Sequence, residues 1–174
     1  MTPHSTQQNI LIIRPSAIGD IVMAMPMLGA IKRAWPETRI TWLAEPAACD
    51  ILSSHPDLDG LILWPKSEWK RLFNNGRVMS LSGEAWRFSK KLRHNHFDMT
   101  IDVQGLFRSR MLAWMSGAAE RIGFESKEPG RFLMTRILSR GPKEDKRMGS
   151  EYLHMIHALG IYPKQFRSGM QLSE

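Results

Sequence analysis

The sequence contains a single cysteine and no long hydrophobic run, and both shortages limit what the protein can be. Cys49 by itself excludes an internal disulfide and a cysteine-based metal cluster, which suits a reducing compartment. The hydrophobic runs are too short to span a bilayer, and residues 1–8 lack the regions of a signal peptide. With 174 residues, 43% of them hydrophobic, the chain is expected to form a globular domain in the cytoplasm.

Common motifs for phosphate, dinucleotide and metal binding are also missing. Residues 14–20 read Arg-Pro-Ser-Ala-Ile-Gly-Asp, without the Gly-Lys-Ser/Thr of a Walker A loop or the Gly-x-Gly-x-x-Gly of dinucleotide-binding folds. Two of the six histidines, His154 and His157, share a predicted helix face, but no further ligand type accompanies them. We therefore predict neither a cofactor nor a metal.

Basic residues, by contrast, are abundant. The chain has 24 Lys and Arg against 17 Asp and Glu, a formal charge of +7. The excess is concentrated in residues 66–77, 87–93 and 127–147. It favours an anionic partner, which this composition leaves open as nucleic acid, a phosphorylated metabolite or an acidic membrane surface.

Short hydrophobic runs alternate with longer amphipathic stretches, a pattern typical of βαβ units. The predicted strands are Ile10–Arg14, Arg39–Leu43, Gly60–Trp64, Met99–Val103 and Arg121–Phe124. The predicted helices are Asp20–Ala34, Ala47–Ser54, Gly83–His94, Leu106–Ser116 and Ser150–Leu159. The alternation predicts an α/β fold with a Rossmann-like, doubly wound parallel sheet and helices on both faces.

Three local features refine this prediction. Pro26 lies early in the first predicted helix and is expected to kink it. Segments 65–82 and 125–149 are basic and broken by glycine or proline, so we expect mobile ligand-binding loops there. Hydrophobic spacing assigns a further set of side chains to the core rather than to a cofactor site: Met23, Met25, Met27, Leu28, Ile31, Trp35, Trp86, Leu92 and Phe97.

The turn after the first predicted strand is the leading candidate for chemistry. It brings Ser16, Gly19 and Asp20 to the carboxyl end of a strand and the start of a helix, where open α/β sheets bind ligands. A carboxylate held there by the helix dipole suits a general base. The same local pattern also suits a helix N-cap, and it does not decide between the two roles.

A second strand-to-helix junction is expected at the same edge of the sheet. It places Gln104, Gly105, Arg108 and Ser109 beside the first turn, which makes a shared site more credible than either turn alone. Asp102, inside the strand, is interpreted as a structural hydrogen-bonding residue.

Two basic segments could supply anion recognition. Lys66, Lys70 and Arg71 flank a tryptophan after the third predicted strand, and Lys127 and Arg131 surround a Pro-Gly turn. Arginine offers bidentate binding to phosphate or carboxylate. Each segment is equally compatible with an ordinary solvated surface.

Three segments together resemble the lipopolysaccharide heptosyltransferases, which are glycosyltransferase family 9. They are Ile-Leu-Ile-Ile-Arg-Pro-Ser-Ala-Ile-Gly-Asp from residue 10, Asp-Val-Gln-Gly-Leu-Phe-Arg-Ser from residue 102, and Arg-Ile-Gly-Phe from residue 121. The similarity runs from about residue 9 to 160, in the order and spacing of the family.

The resemblance implies the N-terminal half of a GT-B glycosyltransferase. Residues 9–160 would form the acceptor-binding domain and 161–174 a tail or the start of a linker, with the C-terminal donor-binding domain absent. Such an enzyme transfers heptose from ADP-heptose to a Kdo sugar of the lipid A inner core, inverting the anomeric centre. Asp20 matches the catalytic base. The expected acceptor-binding residues are Ser16, Gly19, Lys70, Arg71, Gln104, Gly105, Arg108, Lys127 and Arg131.

The implied partners are a Kdo-lipid A acceptor, ADP-heptose bound mainly by the other half, and the cytoplasmic face of the inner membrane, where the protein would be peripheral. The fragment alone is expected to show no transferase turnover. Two alternatives stay open: another family 9 transferase with a different sugar or acceptor, and a basic nucleic-acid-binding α/β domain. The second lacks an RNP-like motif, a helix-turn-helix and a zinc finger, so no nucleic acid is expected.

Overall fold

Six parallel strands form one sheet in the order β3-β2-β1-β4-β5-β6. The computed structural model describes residues 8–140, 149–164 and 166. The strands are β1 (Asn9–Ile13), β2 (Arg39–Ala44), β3 (Gly60–Leu63), β4 (Met99–Asp102), β5 (Glu120–Phe124) and β6 (Arg136–Leu138). This order is the doubly wound arrangement, whose switch point lies between β1 and β4.

Seven α-helices connect or flank the strands in the described ranges. They are α1 (Ile18–Ala24), α2 (Pro26–Ala34), α3 (Cys49–Ser53), α4 (Lys66–Asn74), α5 (Val78–His94), α6 (Phe107–Met115) and α7 (Ser150–Ala158). Pro26 divides the first predicted helix into α1 and α2, because proline cannot donate the backbone hydrogen bond that a continuous helix needs. The predicted kink is thus confirmed.

Helices cover both faces of the sheet, as the alternating side chains of β1 show. Ile10 and Ile12 pack in one core with α1, α2 and α7, whereas Leu11 and Ile13 pack in the other with α5 and α6. All four side chains are fully buried. Successive strand residues point to opposite faces, so a continuous apolar run is what a strand buried on both sides requires.

Several sequence predictions about the helices need correction. Residues 65–82 are not a loop, because α4 and the first turns of α5 occupy most of the segment. Trp86 is 60% exposed and not part of the core. Leu92 and Phe97 are buried as predicted, as are Met25, Met27, Leu28 and Ile31. Met23 and Trp35 are partly buried against the same core.

The second segment predicted as a mobile loop, 125–149, is only partly loop. It contains a short 3-10 turn, Arg131–Leu133, and the edge strand β6, which pairs with β5. Residues 141–148 of this segment lie outside the described residues, as does most of the predicted tail 161–174. The domain limits 9–160 stay a prediction.

Candidate functional site

At the β1–α1 junction, a buried arginine holds the side chain of Asp20. Arg14 follows β1, is 8% exposed, and donates from Nη1 to the carbonyl of Val103 at 3.0 Å. Its Nη2 forms an ion pair with Oδ2 of Asp20. The indole Nε1 of Trp42 donates to the carbonyl of Arg14 at 3.2 Å. Arg14 therefore ties the start of α1 to the two strands that flank β1.

Asp20 is not the N-cap of α1, so the capping interpretation is wrong. The cap position is Ala17, and Asp20 lies in the first turn. An acidic side chain in a first turn still interacts favourably with the helix dipole. The Asp20 side chain is 40% exposed, which leaves it accessible to a ligand from solvent.

The β4–α6 junction also carries an aspartate, but one that is fully buried. Asp102 accepts hydrogen bonds from the backbone N–H groups of Gln104 at 3.0 Å and Gly105 at 3.1 Å. The hydroxyl of Ser109 lies 2.9 Å from its other oxygen. The predicted structural role of Asp102 is confirmed, because its contacts fix the turn that places Gln104 at the edge of the sheet.

The pKa of Asp102 is set by opposing influences. Burial raises the pKa above its ordinary value, because the charged form loses its hydration. The hydrogen bonds from Gly105, Gln104 and Ser109, and the charge of Arg110, lower the pKa. Burial prevails, so this carboxyl group is more difficult to ionise than an exposed one.

A small cleft opens between the two junctions at the switch point of the sheet. Five residues singled out in the sequence line it, Ser16, Lys66, Gln104, Arg108 and Ser109, together with Pro15, Glu45, Trp64 and Leu106. The ammonium of Lys66 lies 2.7 Å from Oε1 of Glu45. The cleft therefore presents hydroxyl, amide and charged groups of both signs.

Two buried polar atoms of this cleft lack a hydrogen-bond partner among the residues that the structure describes. They are Nε1 of Trp64, a donor, and Oε1 of Gln104, an acceptor. Buried polar groups are ordinarily paired. The cleft lining therefore includes one donor and one acceptor whose hydrogen-bonding capacity the described residues leave unused.

Other predicted site residues lie outside this lining. Lys70 and Arg71 are exposed on α4, and Arg71 pairs with Glu68 at 3.4 Å. Lys66, one turn earlier, is the α4 cation that lines the cleft. Lys127 and Arg131 are exposed beyond β5. Gly19 lies in α1, and Gly105 is buried with φ of +75°.

A buried arginine, Arg110, fixes the segment that carries Lys127. It donates to the carbonyls of Glu128 at 2.8 Å, Pro129 at 3.1 Å and Phe124 at 3.0 Å. Sequence reasoning assigned no role to Arg110 or Arg14. Each arginine lies next to a hydrophobic segment in the sequence. That position indicates a buried charge, which needs hydrogen-bond or ion-pair partners.

Helix α7 brings two further side chains to the site. Glu151 pairs with Arg140, which also donates to the carbonyl of Gln104 at 3.1 Å. Tyr152 is buried, and burial raises its pKa to about 12. The charge of Arg14 lowers this pKa, while the charges of Glu151 and Asp20 raise it. Its phenol therefore stays neutral near Asp20 at physiological pH.

The described residues contain neither a cluster of metal-ligand side chains nor a helix that could span a membrane. No group of three or more His, Cys, Asp and Glu side chains that could hold a metal ion occurs among residues 8–140, 149–164 and 166. None of the helices in the same ranges is long and apolar enough to cross a membrane.

Solved structures share this fold. An Escherichia coli heptosyltransferase, WaaC, solved with ADP-2-deoxy-2-fluoro heptose, matches 92% of this chain with a TM-score of 0.76 at 20% identity. A family 9 glycosyltransferase from Veillonella parvula matches 96% of the chain with a TM-score of 0.73. The chain covers 51% and 45% of those proteins. The predicted fold, an α/β domain with a Rossmann-like, doubly wound parallel sheet, is confirmed.

Sequence relatives agree with the structural ones. Lipopolysaccharide heptosyltransferase 1 of Pseudomonas aeruginosa is 28% identical over 75% of this chain, and the core heptosyltransferase OpsX of Haemophilus influenzae is 29% identical over 78%. In each case the chain spans 36% of the relative's length. The family model of glycosyltransferase family 9 (heptosyltransferase) matches residues 85–173. The chain belongs to glycosyltransferase family 9.

Proposed function

We propose that the protein is the acceptor-binding part of an inverting glycosyltransferase. The reaction moves heptose from ADP-heptose to a Kdo sugar of the lipopolysaccharide inner core, at the cytoplasmic face of the inner membrane. The observation that carries the proposal is the cleft at the switch point, which residues of both junctions line. Trp64 and Gln104 in its lining each keep a buried polar atom without a partner among the described residues, and the β1–α1 junction also holds Asp20. The names of the relatives, a lipopolysaccharide heptosyltransferase and a lipopolysaccharide core heptosyltransferase, support heptose as the sugar and lipopolysaccharide as the acceptor class.

Asp20 acts as the general base in this proposal. The acceptor hydroxyl oxygen attacks the anomeric carbon of the heptose, and its proton passes to the Asp20 carboxylate. The bond from the anomeric carbon to the diphosphate breaks at the same time, and its electron pair leaves with ADP. Arg14 orients the carboxylate through its ion pair and is itself held by Val103. A positioned base of this kind contributes roughly 10²- to 10⁴-fold to a rate.

The acceptor is held in two zones. Ser16, Gln104 and Arg108 contact the sugar inside the cleft, and Lys66 joins them as the nearest α4 cation. The exposed cations Lys70, Arg71, Lys127 and Arg131 form an outer zone that attracts phosphates and carboxylates of the acceptor. Gly19 and Gly105 let the backbone approach the ligand closely. The donor is bound mainly by the other half of the enzyme.

Binding of a soluble ligand tests this proposal without the donor half. The chain is titrated with a delipidated, Kdo-containing inner-core oligosaccharide in a calorimeter. Gln104→Ala removes a hydrogen-bonding group from the cleft and should weaken binding about tenfold. The matched control is Asn75→Ala, an exposed amide in the link between α4 and α5, which should leave affinity unchanged.

Two outcomes contradict the proposal. One is an oligosaccharide affinity that is the same in Gln104→Ala and in the parent chain. The other is preferential binding of DNA or RNA, with an affinity that falls steeply as salt is added.

A further inference from the structure

Helices α4 and α5 form a hairpin whose charge sets it apart from the rest of the chain. We call residues 66–94 the basic hairpin. It contains eight Lys and Arg and two Glu, so it holds six of the seven net positive charges of the protein. Both glutamates pair with a neighbouring arginine, Glu68 with Arg71 at 3.4 Å and Glu84 with Arg87 at 3.0 Å. The outer surface of the hairpin is therefore strongly cationic.

The same hairpin exposes four large hydrophobic side chains, which we call the exposed apolar set: Phe73, Val78, Met79 and Trp86. Their exposed fractions are 67%, 57%, 88% and 60%. Phe73 and Val78 lie at the two ends of the short link between the helices. Such side chains on the surface of a soluble protein mark an interaction site when they occur together.

The spacing of α5 places part of this set opposite its core side. Phe88 and Leu92 face the core, and the residues on the other side at helical spacing are Met79, Gly83, Trp86 and Lys90. The ammonium of Lys90 lies 3.8 Å from the centre of the Trp86 ring. This face of α5 therefore carries two large apolar side chains, Met79 and Trp86, with Lys90 beside them, and apolar side chains next to Lys and Arg are typical of helices that lie in a membrane interface.

We propose that the basic hairpin docks the protein on an anionic membrane, with the exposed apolar set inserted between the headgroups. More than half of each side chain in the set is exposed, so all four are accessible to a planar apolar layer. The surrounding cations complement anionic lipid headgroups. Long Lys and Arg side chains can extend past the apolar stripe to reach those headgroups.

The position of the hairpin relative to the cleft supports this docking. Lys66, at the start of α4, lines the cleft, and Phe73 lies in the last turn of the same helix. Nine helical residues span roughly 13 Å. This step rests on the proposed function: a lipid-anchored acceptor held at the hairpin would present its sugar to the cleft at about that distance.

Vesicle binding tests the inference without any acceptor present. The chain is sedimented with vesicles of mixed phosphatidylglycerol and phosphatidylcholine, and with vesicles of phosphatidylcholine alone. Binding is expected only to the anionic vesicles. The double variant Met79→Ser/Trp86→Ser should bind at least about tenfold more weakly, because it removes apolar area from the lipid. Arg77→Gln and Lys90→Gln should each weaken binding about fivefold.

Matched controls come from the opposite face of the sheet. Tyr162→Ser removes an aromatic ring that is 75% exposed, and Lys164→Gln removes an exposed charge. Neither should change vesicle binding. Because the substituted hairpin side chains are exposed, all variants should keep the thermal midpoint of the parent chain. Quenching of tryptophan fluorescence by brominated lipid should be lost in Trp86→Phe and kept in Tyr162→Ser.

The inference is overturned if anionic vesicles do not bind the chain, or if the hairpin and control variants bind them equally. It is also overturned if the chain forms dimers in solution that Met79→Ser/Trp86→Ser dissociates, or if nucleic acid outcompetes the vesicles. Oligosaccharide binding without vesicle binding would contradict the docking surface and leave the proposed function standing. Vesicle binding without oligosaccharide binding would do the reverse.

Discussion

The two strand-to-helix junctions at the switch point each carry an aspartate, and the two aspartates differ in burial and in their partners. Asp102 is fully buried and is held by two backbone N–H groups and the hydroxyl of Ser109. Asp20 keeps 40% of its side chain exposed and is paired with Arg14. A carboxylate surrounded by internal donors organises a loop, whereas an accessible one can accept a proton from a ligand. Exposure and donor number, rather than position on the sheet, thus separate the structural Asp102 from Asp20, which is the proposed base.

The largest expected effect is a loss of transferase activity when the aspartate of the β1–α1 junction is replaced. In an enzyme that joins this chain to a donor-binding half, Asp20→Ala should lower the transfer rate from ADP-heptose by roughly 10²- to 10⁴-fold, because the base is lost. Its free energy of unfolding should fall by about 1–2 kcal/mol, because the buried Arg14 loses its ion-pair partner but keeps its hydrogen bond to Val103. Transfer at a near-normal rate would remove Asp20 as the base.

The second effect is a loss of stability when the aspartate of the β4–α6 junction is replaced. Asp102→Ala should lower the free energy of unfolding by about 3 kcal/mol, because it leaves the backbone N–H groups of Gln104 and Gly105 without their acceptor. Urea denaturation of the chain measures this change, with Asp20→Ala as the control. Equal losses in the two variants would show that the contrast between the aspartates is wrong.

The third effect uses one glycine from each junction. Gly105 has φ of +75°, and a Cβ there would lie 3.0 Å from Nη2 of Arg140. Gly105→Ala should therefore cost about 1–2 kcal/mol of unfolding free energy. Gly19 lies in α1 with open space around it, so Gly19→Ala should gain about 0.5–1 kcal/mol. Denaturation curves that shift in the same direction would contradict the prediction.

The smallest effect is the part of the pH dependence of stability that comes from Asp102. Because burial raises its folded pKa above the ordinary 3.8, the folded state binds the proton more tightly than the unfolded state. Its contribution to stability is fully present below pH 3.8 and is lost as the pH rises through the folded pKa. Asp102→Asn keeps the shape of the side chain and does not titrate.

Urea denaturation over a pH series checks this dependence. The stability of the parent chain relative to Asp102→Asn should fall as the pH rises from below 3.8 towards neutrality. A relative stability that rises with pH would mean that the donors around Asp102 outweigh the cost of its burial.

Much of the fold follows from the sequence alone. Five of the six strands were predictable because each is a short run rich in apolar residues, and the central strands β1 and β4 are buried on both faces. β6, with the sequence Arg-Ile-Leu, was missed because three residues in a basic segment give no measurable period. Helix α4 was missed because Pro65 and four charged residues resemble a loop. Only Trp69 and Leu72 are buried in α4, too few to establish a helical pattern by themselves.

The site was less predictable than the fold. Gln104 and Arg108 were found because the carboxyl ends of neighbouring parallel strands meet at one edge. The roles of Arg14 and Trp64 depend on partners distant in the sequence, such as Val103, which local patterns do not reveal. Lys66 was considered with Lys70 and Arg71, but only helical geometry shows which of the three faces the cleft.

The path of the chain from β3 to β4 has a consequence for how the protein can vary. This crossover passes β2 and β1, three strand spacings or roughly 14 Å, and one helix would be long enough to make it. The chain uses two, α4 and α5, with a core side on each. Packing against the sheet therefore constrains the residues on the inner side of the hairpin, whereas the residues on its outer side can vary. Among relatives, surface properties suited to different lipids could change there without disturbing the sheet or the cleft.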